Sequence, residues 1–287
     1  MKTNILFAII LVLFISSCSN EKATKPIIQK QSENYIILID LSDRLLNEGQ
    51  VEQDLELICS LFEKFESTVR NNLIINSHDN FRIVIAPQEK MAVNRSQYEG
   101  LFYLDMSKID IAEKRTKLEQ FKENLKSNLS NLYSEAILNK TKSSDFQGAD
   151  IWKYFNDFLS GDLKSGNKNQ LFILSDGYFD FEASSVKKSV EGKSTSSTFL
   201  KSVRGKTNWK ELIEKNNYGI IPVEKQFESL SVCLMEVYPK YKNLDETDML
   251  QFVWSKWLVE MNIENFGFIP HASIPKMKGQ IDNYLNL

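Results

Sequence analysis

The chain has 287 residues, with 35 Lys and Arg against 38 Asp and Glu and a formal charge of −3, which gives no electrostatic case for nucleic acid, a partner that requires a broad basic surface. Three cysteines and two histidines give no disulfide framework and no cysteine-rich metal site, and they weigh against a zinc enzyme or a histidine-dependent hydrolase. With 42% hydrophobic and 25% charged residues, the composition is that of an ordinary folded chain.

Residues 1–17 carry Lys2 and an apolar run from Ile5 to Ile15. About eleven apolar residues at ~1.5 Å rise cannot cross a hydrocarbon core of ~30 Å, so this segment reads as a signal peptide outside the fold. Its ending, Ile15-Ser16-Ser17-Cys18, resembles the lipobox of bacterial lipoproteins. That resemblance implies a lipid on Cys18, a membrane anchor, and a place in the bacterial cell envelope, with the outer membrane expected before the inner. A plain secretory signal with an accidental cysteine is the other reading. Residues 18–33 are polar with one proline, the composition of a flexible tether. The folded domain is expected over 34–265, with an insertion at 183–206 and a C-terminal extension, 266–287, lying over the domain.

Residues 35–39 form an apolar, β-branched run that breaks at once into Asp40, Leu41, Ser42, Asp43 and Arg44. A run without alternation suits a strand covered on both faces, as in a parallel sheet between helices. Asp40 and Ser42 then lie where ligands bind in open α/β sheets, beyond the carboxyl end of a strand, or they merely cap the next helix. Val51, Leu55, Ile58, Phe62, Phe65 and Val69 step by three or four and predict a helix over 50–70. Residues 81–86, stopped by Pro87, predict a second strand, and 101–104 a shorter third. The longest helical pattern spans 109–140, followed by a loop over 141–148 and a helix over 149–160. Residues 170–175 are again apolar without alternation and end in Asp176-Gly177, a second acid at a strand end.

Residues 178–182 alternate aromatic and acid, prolonging that strand or forming a hairpin. The insertion is rich in serine and lysine and reads as a solvated segment, or as a lid or partner-recognition loop beside the strand ends. A short helix over 208–216, a strand over 230–238 closed by Pro239, and a helix over 246–261 complete the pattern. Cys59 and Cys233 are expected to be buried, and His78 and His271 to lie on surface loops.

A strand ending D-x-S at Asp40 and Ser42, then a helix, and a later strand ending S-D-G at Asp176 resemble the von Willebrand factor type A (vWA) domain. The resemblance covers roughly residues 34–261 and implies a Rossmann-like, mainly parallel sheet sandwiched between helices. It also implies a metal-ion-dependent adhesion site at the strand ends, with Asp40, Ser42 and Asp176 as ligands of Mg²⁺ or Mn²⁺. Two positions depart from the family pattern. Arg44 stands where the second serine is expected, and Ala149, in Gly148-Ala149-Asp150-Ile151, where the threonine is expected. Arginine has no acceptor and alanine no side-chain oxygen, so two ligands are lost. Asp43, Asp145, Asp180, Ser143 or Ser144 are the candidates to replace them. The metal-free alternative pairs Arg44 with Asp40 or Asp176. Asp43, Arg44, Asp150 and Asp180 complete the expected binding set.

The resulting expectation is a membrane-anchored, non-enzymatic module that binds a protein partner at its strand ends. A metal-dependent, phosphoesterase-like hydrolase would use Asp40, Asp176 and Asp180. Against it, Ser42 replaces the second acid of the D-x-D phosphatase loop, and no G-x-S-x-G elbow or phosphate-binding glycine loop is present. A structural subunit with a vestigial site is the third reading.

Overall fold

The computed structural model describes residues 31–91, 93–179 and 188–286. The expected signal peptide, Cys18, most of the tether, Asp180 and residues 183–187 lie outside these. The main sheet has six strands in the order β3-β2-β1-β4-β8-β9. These are β1 (Glu33–Ile39), β2 (Asn80–Ile85), β3 (Tyr103–Asp105), β4 (Lys168–Leu174), β8 (Leu230–Val237) and β9 (Asn265–Pro270). All neighbours pair in parallel except β2 and β3, which are antiparallel. The fold is therefore α/β with a mixed, mostly parallel sheet, consistent with a Rossmann-like architecture.

The apolar run in β1 has a direct physical account. Successive strand residues face opposite sides. Tyr35, Ile37 and Ile39 enter one core, while Ile36 and Leu38 enter the other. The first core is covered by α1 (Gln50–Asn71), α3 (Lys114–Ile137) and α7 (Ile274–Leu285), through residues such as Phe62, Phe65, Leu125, Leu129, Met277 and Ile281. The second is covered by α4 (151–162), α5 (Trp209–Lys215) and α6 (Glu246–Glu260), through Phe155, Leu159, Ile213, Val253, Trp254 and Trp257. Helix α4 runs as an α-turn Ile151–Lys153, a π segment Tyr154–Phe158 and a closing α-turn Leu159–Asp162. Because both faces are covered, alternation would expose no solvent face, and the sequence shows none.

Four local expectations are corrected. The third strand begins only at Tyr103, because Asn94 accepts from Gln97 N–H and starts a short helix, α2 (Arg95–Leu101). The tail is the sixth strand and a packed helix: β9 pairs with β8, and Met277 and Ile281 are fully buried. Residues 188–206 are structured, with β5 (Ser189–Val190), β6 (Lys193–Ser194) and a 3-10 helix, Ser197–Ser202. These two strands join β7 (Gly219–Ile220) in a small second sheet, and Leu200 and Val203 enter the second core. His271 is also no simple surface residue, since its Nδ1 lies 2.8 Å from the buried Glu236 carboxylate.

Candidate functional site

Strand order reverses at β1 and β4, so the crevice beyond their carboxyl ends is a topological switch point. The register pairs Ile39 with Leu174, which sets Asp40 and Ser175 side by side and Asp176 one residue further along. Asp40 N–H donates to Leu174 O at 3.1 Å, and Ser175 Oγ donates to Asp40 Oδ2 at 2.8 Å. The other Asp40 oxygen accepts from Ser42 N–H at 2.8 Å. Both acids thus reach a common rim. The Ser42 side chain does not cap the 3-10 turn Asp43–Leu46 that follows it.

The cation at this rim is Lys240. Its Nζ lies 3.0 Å from Asp43 Oδ1 and 3.1 Å from Asp176 Oδ2. Burial pushes the Asp176 carboxyl up, Lys240 draws it back, and Asp40 pushes it further up, leaving its pKa at about 6. Lys240 is carried there by β8. At Glu236 the backbone turns to φ 72 and the β8–β9 register slips between Met235 and Val237. A bulge of this kind re-aims the strand that leaves it. Its buried carboxylate is held by Gln50, Gln53 and His271. Beyond it, Tyr238 N–H donates to Asp176 O at 3.2 Å, and Lys240 N–H donates to Tyr178 Oη at 3.2 Å. Tyr178 Oη donates to Glu246, which also receives two bonds from Arg204 of the insertion, and Arg204 stacks 3.6 Å over the Tyr241 ring. The insertion therefore braces the loop that holds Lys240.

Arg44 does not pair with the Asp40 carboxylate or with Asp176. Its guanidinium is buried and forms two 2.8 Å bonds to Asp54 of α1, reaching only the backbone oxygen of Asp40 at 3.2 Å. Tyr133 Oη donates to the same Asp54 at 2.7 Å. The reason is geometric: Asp54 lies under the turn that Arg44 occupies, and it is a buried acid that needs a charge partner. Asp150 is the N-cap of α4, its Oδ1 accepting from Lys153 N–H at 2.8 Å. Asp145 accepts from the N–H groups of Thr141 and Lys142 inside its own loop. Ala149 packs in the second core. Gln88 donates to Leu41 O and Gln147 O, tying the Asp40, Gln88 and Asp150 loops together.

These residues open into a groove of about 670 Å³ lined by Asp43, Leu46, Ser143, Asp176, Tyr238, Lys240, Tyr241, Lys242 and Leu244. Leu46, Tyr238, Tyr241 and Leu244 are all exposed. Asp43 and Lys240 are reachable from solvent, whereas the Asp176 side chain is only 4% exposed. Mg²⁺ or Mn²⁺ would call on oxygens converging from Asp40, Ser42 and Asp176. Lys240 Nζ already stands against two carboxylates of this rim, Asp43 and Asp176, while among the described residues the buried Asp176 Oδ2 accepts no hydrogen bond. Among the described residues no three His, Cys, Asp or Glu side chains are grouped to hold a metal. The residues missed from sequence are Lys240, Ser175, Asp54 and Glu236. For Lys240 a signal existed: it follows the carboxyl end of another buried strand, and the strand-end rule applied to that strand places it on the same rim.

No family model matches the chain, and no curated protein matches it. A solved structure of proximal thread matrix protein 1 from the mussel byssus is similar over 89% of this chain and 47% of its own, with 8% identity and a TM-score of 0.34. The chain spans about half the length of that structure. At that score the likeness carries no weight for function.

Proposed function

We propose that this chain is a vWA-like protein-binding module of the bacterial cell envelope, secreted by residues 1–17 and anchored through a lipid on Cys18, with the outer membrane as its expected site. Its working face is the strand-end groove. The observation that carries the reading is the juxtaposition there of a charged floor, Asp43, Lys240 and Asp176, with an exposed lip of Leu46, Tyr238, Tyr241 and Leu244. Exposed apolar side chains clustered in one patch beside polar groups mark protein-interaction sites, where aromatic residues are enriched. The strand order and the pairing of strands ending in Asp40 and Asp176 support the vWA-like reading.

A photo-cross-linking residue at Leu244, compared with one at Val259, which is exposed on α6, tests the face. The Leu244 probe is expected to capture a discrete envelope protein that the Val259 probe does not. Capture should be lost when Tyr238 and Leu46 are both changed to Ser. Equal capture from both positions would count against the groove. The anchor is tested separately: Cys18→Ala is expected to move the protein from the membrane fraction to the soluble one, and retention in the membrane would remove the lipid assignment.

A further inference from the structure

Two carboxylates on adjacent strands, Asp40 and Asp176, lie buried at one rim, and a third, Asp43, faces them from the loop after β1. Like charges this close disfavour one another's ionised forms, so the rim needs a cation. Arg44 cannot serve, because both arms of its fork are committed to Asp54. Lys240 does serve: its ammonium lies about equally far from Asp43 Oδ1 and Asp176 Oδ2, at 3.0 and 3.1 Å. It stands 5.4 Å from the centre of the Tyr178 ring, and Tyr178 Oη accepts from the same residue's backbone N–H. An ammonium is a compact point charge with three donors, closer to a metal ion in character than a planar guanidinium is. Fixed to the chain, it is present at a constant local concentration that no chelator can lower.

We propose that Lys240 is the resident cation of this site, its ammonium standing against Asp43 and Asp176 in place of a divalent ion, and that the groove takes an acidic peptide segment through this ammonium without metal. The proposal rests on the groove being the working face. The Lys240 side chain is 29% exposed, so a partner carboxylate reaches it from the open side. Lys242 stands on the same lip, so among the described lining residues two lysines face the groove against one solvent-accessible acid, Asp43. Tyr241 and Leu244 beside them offer contact area to apolar neighbours of the acidic group.

The test uses metal ions alone, so that it can fail or succeed independently of any partner. Full-length native protein is melted with and without millimolar Mn²⁺ or Mg²⁺, beside Lys240→Ala, Lys240→Arg and the double variant Lys240→Ala with Asp176→Asn. The native and Lys240→Arg proteins are expected to show no metal-dependent change. Lys240→Ala is expected to gain a saturable rise in melting temperature with Mn²⁺, which the double variant loses. If Lys240→Ala does not fold, Lys240→Met, which keeps most of the apolar stem, takes its place. Metal stabilisation of the native chain that Asp40→Ala abolishes would overturn the proposal, and so would a folded Lys240→Ala that ignores both ions. For the ligand, a blocked peptide alternating leucine and glutamate is titrated in chelator-containing buffer. It should shift the Lys240 side-chain ¹³Cε resonance and bind Lys240→Ala at least tenfold more weakly. A peptide alternating leucine and lysine should do neither; no response to the glutamate peptide, or equal response to both, would overturn the acidic-partner assignment. If both arms succeed while the Leu244 cross-link captures nothing, the cation assignment stands and the envelope-protein partner falls.

Discussion

Asp54 has no exposed surface, and its two oxygens receive bonds from Arg44, Gln50 and Tyr133. Removing one member of such a buried pair leaves an uncompensated charge, which costs about 3–5 kcal/mol. Arg44→Ala and Asp54→Ala are each expected to destabilise the protein by that order, while the double variant loses clearly less than the two together. Urea denaturation of all four proteins measures the coupling, and strict additivity would show that the pair does not act as one. Asp176 makes the opposite kind of prediction. Its folded pKa, about 6, lies above the ordinary 3.8, so the folded state binds the proton more tightly. The stability from that proton is fully present below about pH 4 and is lost as pH rises through about 6, a change of up to ~3 kcal/mol. Asp176→Asn cannot titrate, so its stability relative to native is expected to rise over that interval, and parallel native and variant pH curves would refute it.

At the scale of elements, β9 and α7 close the sheet and complete the first core. Their contact is intimate at Gly267, where an added Cβ would lie 2.9 Å from two ring carbons of Tyr284. Gly267→Ala is expected to cost about 1–3 kcal/mol through this clash, and Tyr284→Leu in the same chain to recover part of it. Urea unfolding of the single and double variants reads the effect, and an unchanged midpoint would mean that α7 does not press on the strand. This tail was illegible in the sequence for a physical reason. Its strand, Asn265–Pro270, is an edge strand with two phenylalanines interrupted by Gly267 and closed by Pro270, so it lacks the continuous apolar run that revealed β1 and β4. The doubly covered strands and the long amphipathic helices were legible because burial on two faces, or on one stripe, leaves a periodic trace. Asp40 and Asp176 were legible as acids ending such strands. The partner of Arg44 was not, because proximity in sequence pointed to Asp40 while the fold brought Asp54 and, from α3, Tyr133.

The folded unit, residues 31–287, places its chain entry and its groove at opposite ends of β1. The described chain enters at the amino end of β1, and the groove lies beyond the carboxyl end of the same seven-residue strand, about 23 Å away at ~3.3 Å per residue. At the entry end Glu33 N–H donates to Asp79 Oδ1, which fastens the incoming chain to the loop carrying the exposed Leu73 and Ile75. Ile111, also exposed, precedes α3, whose Lys114 donates to Ile75 O at 3.1 Å. Three exposed aliphatic side chains therefore stand at the end where the described chain begins, while Leu244 stands at the other. A lipid on Cys18, as proposed, would favour contact of those side chains with the bilayer surface, since each buried apolar group adds to the lipid's own affinity. In lipidated protein reconstituted on phospholipid vesicles, Ile75→Cys and Ile111→Cys are expected to react several-fold more slowly with a membrane-impermeant maleimide than in the unlipidated Cys18→Ala background. Leu244→Cys is expected to react at the same rate in both. Slowing at Leu244 instead would mean that the groove faces the bilayer, leaving it closed to a soluble partner and open only to one embedded in the same membrane.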